Sequence, residues 1–187
     1  MDEITTHLTA AATSSAPALL LRPWAAEDVP ALAGFSQDTE LRRRTTFAVD
    51  DEADAARWIH DQERGWESGE RFAFAVLEVE VGAGDGKLVG NAALKRAVPG
   101  SASAEVGYWT AAQARGRGVA PRALEAVTDW AFATFGGDGL KRIELLHQVD
   151  NTGSCRVAEK GGYVLSAILS PFPPDYPLEG HLHALER

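Results

Sequence analysis

Residues 104–124 read Ala104-Glu105-Val106-Gly107-Tyr108-Trp109-Thr110-Ala111-Ala112-Gln113-Ala114-Arg115-Gly116-Arg117-Gly118-Val119-Ala120-Pro121-Arg122-Ala123-Leu124. The first seven alternate, Val106 and Tyr108 against Glu105, Gly107 and Trp109, which is the two-residue period of a strand. From Val119 the period lengthens to that of a helix, with Ala120, Leu124, Val127, Ala131 and Phe135 on one stripe until Gly136-Gly137 stops it. Between strand and helix lie two glycines and two arginines. Glycine lets a ligand approach backbone closely, and the first turn of a helix leaves N–H groups unpaired at its partly positive end. The segment therefore suits an anion such as a phosphate, with Arg115 and Arg117 adding charge; a tight turn with solvated arginines is the plainer alternative. A dinucleotide-binding loop is rejected, because it wants a third glycine where Pro121 stands and an early parallel βαβ unit.

Upstream, Lys87 to Leu94 and Phe72 to Val81 read as the two strands of a hairpin, joined by a turn at Gly82, Gly84, Asp85 and Gly86 and separated from the next strand by a break at Pro99-Gly100. Two helices precede them. One runs from about Ala26 to Phe35, with Pro30 near its start; the other follows Asp50 as N-cap, with Ala55, Ile59 and Trp66 on its apolar face and Gly69 at its end. Leu19 to Arg22 is a first strand ending at Pro23, and residues 1–18 read as a weakly structured arm ahead of a domain spanning 19–187.

Downstream, Ile143, Leu145, His147 and Val149 alternate in a strand, Asn151 to Lys160 forms a short helix, and Tyr163 to Leu169 is a strand. The four prolines of Pro171 to Pro177 demand a loop, after which Gly180 to Leu185 supplies a closing edge strand. The order β, α, α, β, β, β, α, β, α, β, β implies a mixed, mostly antiparallel sheet with helices on its faces, of α/β or α+β class.

Composition narrows the function classes. In 187 residues, 27 are acidic and 18 are Lys or Arg, and a net charge of -9 argues against nucleic-acid phosphates or anionic lipid as partners. Hydrophobic residues at 45% suit a folded core, no apolar run approaches a membrane span, Cys155 has no cysteine partner, and Met1-Asp2-Glu3 lacks the positive flank of a secretory signal. The expectation is a cytoplasmic protein, monomeric or a homodimer.

The chain resembles the GCN5-related N-acetyltransferase (GNAT) superfamily, specifically its RimJ/RimL-like ribosomal-protein branch, which modifies protein N-termini. The residues carrying the resemblance are Leu21-Arg22-Pro23-Trp24 with Asp28, Leu88-Val89-Gly90, Glu105 to Trp109, and the loop as Gln113, Gly116 and Gly118 or as Arg115, Gly118 and Ala120. Asn151, Ser154, Lys160, Gly162 and Tyr163 complete it. The resemblance implies acetyl-CoA as cofactor and donor, with its diphosphate on the amides of Arg115, Gly116, Arg117, Gly118, Val119 and Ala120. It further implies pantetheine beside the strand ending at Trp109 and Thr110, and a splay between the fourth and fifth core strands that admits the thioester. The acceptor would be a primary amine, a protein N-terminus or a small cationic amine; a non-catalytic acyl-CoA-binding module is the rival.

Within that frame a backbone N–H near Trp109 or Thr110 is the oxyanion donor. Glu105 is the candidate base, or else an exposed strand carboxylate. The tyrosine acid found in many members would fall at Ala158, so that route is excluded; Ser154 remains to hydrogen-bond the leaving sulfur. Asn151 caps its helix or touches the cofactor. His147 is a reserve base, or a packed strand histidine, and Cys155 is read as a small buried hydrophobe. Phe35, Phe47, Trp58 and Trp66 lie where the family builds its acceptor groove, although core packing explains most of them. Asp50, Asp51, Glu52 and Asp54 offer charge for a cationic amine, or simply a favourable helix start.

Overall fold

The computed structural model describes residues 6–45, 48–79, 86–96 and 100–187. The expected strand end at Glu80 and Val81, the turn at Gly82, Gly84 and Asp85, the break at Pro99, the aromatic Phe47 and the opening Met1-Asp2-Glu3 lie outside the described residues. The run Phe72 to Leu77 explains the centre of the fold. Phe72, Phe74 and Val76 enter one apolar cluster and Ala73, Ala75 and Leu77 another, so this strand, β3 (Arg71–Val79), is buried on both faces.

On the first face lies α4 (Val119–Phe135), whose Leu124, Val127, Trp130, Ala131 and Phe135 cover Phe72 and Phe74. On the second lie α1 (Val29–Ala33), α2 (Thr39–Arg44) and α3 (Glu52–Ser68), contributing Leu32, Leu41, Ala55 and Ile59. Among the described residues, the sheet runs β1 (Leu8–Ala10), β2 (Ala18–Pro23), β3, β4 (Lys87–Lys95), β5 (Ser103–Thr110), β6 (Arg142–Gln148), β8 (Gly180–Glu186), β7 (Val164–Leu169). Every pairing is antiparallel except β5 with β6. This is the expected mixed, mostly antiparallel sheet with helices on both faces. No helix among the described residues is long and apolar enough to cross a membrane.

Four local readings change. The arm is not wholly irregular, because Leu8–Ala10 pairs with Leu19–Leu21 and buries Leu8. The segment 180–186 is not an edge strand: β8 sits between β6 and β7, and β7, exposed along most of its length, takes the edge. The N-cap of α3 is Asp51, which accepts the Asp54 N–H at 2.8 Å, while Asp50 pairs with Arg42 at 2.6 Å. Helix α2 was not expected; Asp38 caps it through the Leu41 N–H at 3.0 Å, but three consecutive arginines and one buried leucine give no readable apolar period.

The Leu21-Arg22-Pro23-Trp24 motif is structural. Asp28 accepts two bonds from Arg22 at 2.8 Å each and one from the Ala25 N–H at 3.0 Å, and Trp24 Nε1 donates to Asn91 Oδ1 at 2.9 Å. These contacts tie the first strand to the turn leading into α1 and to β4.

One irregularity positions everything that follows. Strands β5 and β6 pair in parallel only from Ser103 to Val106 against Arg142 to Leu145. Beyond that point Gly107–Thr110 pairs only with β4, and Leu146–Gln148 only with β8. The sheet therefore splays between them.

Candidate active site

A strand that loses a neighbour exposes the backbone groups that faced it. Ala111 donates its N–H to Val89 O on β4 at 2.8 Å. By the two-residue repeat Trp109 turns its backbone the same way, leaving the N–H groups of Tyr108 and Thr110 directed into the splay. Gly90 permits this close approach, since a Cβ there would stand 2.5 Å from Trp109 O. Of the two residues expected to offer an oxyanion donor, Thr110 thus has the suitable direction, joined by Tyr108. The Trp109 side chain is buried against Trp24 and Phe35, at ring separations of 6.1 and 5.6 Å.

After Thr110 the chain makes a 3₁₀ turn at Ala112–Ala114 and enters α4 through Gly116 and Gly118, with φ of 76° and 77°. Such angles favour glycine. No atom lies within 4 Å of where a Cβ would project from either, so both present bare backbone to open space. Among the described residues, no turn or loop backbone bond uses the N–H of Gly116, Arg117, Gly118, Val119 or Ala120. Pro121, in the first turn of α4, has no N–H to leave unmet.

The arginines differ from expectation. Arg115 donates to Thr110 O at 3.1 Å and to Asp38 Oδ2 at 2.5 Å, and Arg117 to Glu78 Oε2 at 2.6 Å. Neither is a free cation: each is matched by a carboxylate, and Arg115 braces the end of β5 against the turn. Burial opposes ionisation of Asp38, but bonds from Arg115 and the Leu41 N–H outweigh it and hold the carboxyl below its ordinary value. The positive character left at this corner comes chiefly from unpaired amides.

Across the splay stands α5 (Thr152–Lys160). Asn151 is its cap, its Oδ1 accepting the Ser154 N–H at 3.2 Å. The Ser154 hydroxyl, buried, receives the Tyr108 O–H at 3.0 Å. Burial pushes the Tyr108 phenol up to about 12, with the Ser154 bond a smaller opposing effect, so at neutral pH it is a donor. Sequence reading did not select Tyr108; the only signal was its place on the Val106 face, one residue from the motif's end. Ala158 is fully buried, and no side chain there serves as an acid.

Glu105 sits one rung before the splay, opposite Glu144, with its carboxylate 2.5 Å from Lys95 Nζ and its side chain 40% exposed. His147 is not turned to the splay. Its Nδ1 lies 2.8 Å from Gln148 O and its Nε2 3.6 Å from Cys155 Sγ; burial, then nearby His183, His181 and Arg44, lower its pKa, partly offset by the Gln148 bond. Cys155 is half-buried beside polar rings instead of apolar side chains, as His181 Nδ1 stands 3.3 Å from its sulfur.

Phe35 and Trp58 pack in the second-face cluster around Trp24, whereas Trp66 crosses to the first face against Phe72, Phe74 and Trp130. Trp66 is thus core. The acidic group is largely consumed locally: Asp50 pairs with Arg42, Asp51 caps α3, and Asp54 pairs with Arg57 and accepts the Asp50 N–H.

Residues 18–164 match the family described as "Acetyltransferase (GNAT) domain". The "Probable N-acetyltransferase YjcK" of Bacillus subtilis is 31% identical over 130 residues, which is 69% of this chain and 66% of that protein, so the match spans about two thirds of the relative's length. Mycobacterium smegmatis RimJ in complex with CoA-disulfide superposes with a TM-score of 0.80 at 21% identity, covering 96% of this chain and 85% of that one. RimL, the ribosomal L7/L12 α-N-protein acetyltransferase, in complex with coenzyme A, superposes with a TM-score of 0.77 at 17% identity, covering 95% and 97%.

Proposed function

The chain belongs to the GNAT acetyltransferase family, and from that membership we propose that it transfers the acetyl group of acetyl-CoA to a primary amine, a protein N-terminus or a small cationic amine, by direct attack in a ternary complex. The observation that carries this reading is the head of α4 beside the splay, with two bare left-handed glycines and, among the described residues, no turn or loop backbone bond from the N–H groups of Gly116 to Ala120. Those groups fit a diphosphate: unpaired N–H donors at a positive helix end, with no side chain in the way. When bound, acetyl-CoA supplies an activated acetyl thioester.

Acetyl transfer to an amine forms a C–N bond and breaks a C–S bond, so one proton must leave the amine and one must reach the departing sulfur. The N–H groups of Thr110 and Tyr108 supply hydrogen bonds to negative charge developing on the carbonyl oxygen. Ser154 Oγ accepts from Tyr108, which leaves its own proton free to donate toward the sulfur. Tyr108, protonated at neutral pH, orients that hydroxyl. Glu105, on the strand face carrying Trp109, takes up the amine proton directly or through water. Cys155 turns toward His147 and His181 while the preceding Ser154 meets Tyr108, which favours direct transfer over an acyl-cysteine route.

The test follows free thiol release from acetyl-CoA with peptides of varied N-terminus and with polyamines, beside calorimetric titration of coenzyme A. Release with at least one acceptor class is expected. Tight binding without release on any acceptor would make the protein an acyl-CoA-binding module, and no binding at all would remove the site.

A further inference from the structure

The antiparallel register of β6 and β8 sets His147 opposite His181 and Leu145 opposite His183. Residues two apart share a face, so three imidazoles converge on one side of the sheet, with ring centroids 5.2 to 6.0 Å apart. Cys155 on α5 completes the group. One ligating atom from each of the four lies within 4.8 Å of all the others.

Hydrogen bonding inside the protein does not satisfy this cluster. His183 is 3% exposed, yet neither of its ring nitrogens makes a hydrogen bond of normal geometry; the Tyr163 backbone offers it a looser polar contact. An unmet buried imidazole is costly. The single thiol proton of Cys155 can serve only one of the two histidines nearest it, and it does not reach His183. His147, by contrast, is arranged as a ligand: its Nδ1 faces the Gln148 carbonyl at 2.8 Å, so the proton resides there and the Nε2 lone pair points to the centre. A backbone carbonyl behind a ligating histidine is the usual outer support of a metal site.

The sulfur–nitrogen spacing also agrees, while the widest pair of ligating atoms, within 4.8 Å, would have to close on binding. Zinc bonds of about 2.3 Å to sulfur and about 2.05 Å to nitrogen, at the tetrahedral angle, place sulfur about 3.5 Å from each nitrogen. The two sulfur–nitrogen separations here are 3.3 and 3.6 Å. Three imidazoles and one thiolate, with no carboxylate, suit a borderline or soft transition metal and not magnesium or calcium. We propose that His147, Cys155, His181 and His183 form a tetrahedral site for a divalent transition-metal ion, zinc first. The ion would join β6, β8 and α5, and so fix the helix that carries Ser154. This assignment does not depend on the acetyl-transfer reading.

The test uses the full chain, stripped by a chelator and then titrated with Zn²⁺ against a competing indicator and with Co²⁺ by absorption. Expected are one equivalent bound, a rise in thermal midpoint with Zn²⁺, four-coordinate cobalt bands and a thiolate-to-cobalt charge-transfer band. Cys155→Ser should abolish the charge-transfer band, and both it and His183→Asn should weaken binding at least about tenfold. If either variant does not fold, alkylation of Cys155 in the native protein gives the same answer, since one equivalent of Zn²⁺ should protect the thiol. Absence of stoichiometric binding, binding unchanged in both folded variants, or a thiol that Zn²⁺ leaves equally reactive would overturn the proposal.

Discussion

Gly118 offers the sharpest test of the anion corner, because its conformational and electrostatic roles can be separated by two substitutions. Its φ is 77°, and a Cβ would meet nothing within 4 Å. Gly118→Ala therefore adds backbone strain alone, roughly 1–2 kcal/mol, and Gly118→Glu should cost nearly the same, because its side chain reaches open space. Their unfolding midpoints in denaturant should agree closely. Coenzyme A binding should not. A carboxylate about 5 Å from the nearer charge of a diphosphate, at an effective dielectric constant of about 20, repels that charge by about 3 kcal/mol, which is about two orders of magnitude in Kd, the farther charge being taken as screened by solvent. Calorimetry at two salt concentrations should find the Glu variant about a hundredfold weaker than the Ala variant, with the gap narrowing as salt rises. If the two variants bind coenzyme A within about threefold of each other, the diphosphate does not lie at the start of α4.

Three further perturbations probe other parts of the reasoning. Ser154→Ala should lower kcat by about a hundredfold and Tyr108→Phe by about tenfold, with little change in the KM for acetyl-CoA; steady-state kinetics showing both variants at native turnover would dismiss the hydroxyl pair. Burial pushes both Tyr108 and Tyr163 up to about 12, so between pH 10 and pH 12 the unfolded chain releases phenolic protons that the folded one keeps. Stability is whole below pH 10 and falls as pH rises through that window, by on the order of 2–3 kcal/mol for each tyrosine; denaturant midpoints of Tyr163→Phe that fall as steeply as the native protein's would contradict this. Asp28→Ala removes the two bonds that Arg22 gives its carboxylate and the one from the Ala25 N–H, and should cost about 3 kcal/mol, or roughly 10 °C in thermal midpoint for a chain of this size, which calorimetric melting would measure.

Much of the fold was legible because it is written in periods. The aromatic and β-branched residues from Phe72 onward read as a strand, the stripe Leu124, Val127, Ala131, Phe135 reads as a helix packed on the sheet, and Asn151 caps α5 as its type and place suggest, while the burial of the Phe72 to Leu77 run on both faces emerges only from the structure. Helix α2 was hidden by its arginines, and the α3 cap slipped by one because Asp50 and Asp51 are equivalent until Arg42 claims one of them. At the site, the two glycines and the strand-to-helix passage were readable, while the partners of Arg115 and Arg117 were not. Asp38 and Glu78 stand 77 and 39 residues away.

Amino-acid order by itself determined the local elements, their apolar faces and the glycine-marked entrance to α4, since each depends on neighbours within a few residues along the chain. Strand order and register decided the rest. They set where β5 leaves β6, which turns the Tyr108 and Thr110 amides outward; they bring Tyr108 to Ser154 over 46 residues; and they place β8 beside β6, so that His147, His181, His183 and Cys155 meet. A side-chain pattern states which face of a strand is buried, but the choice of neighbouring strand depends on how all the faces are covered at once.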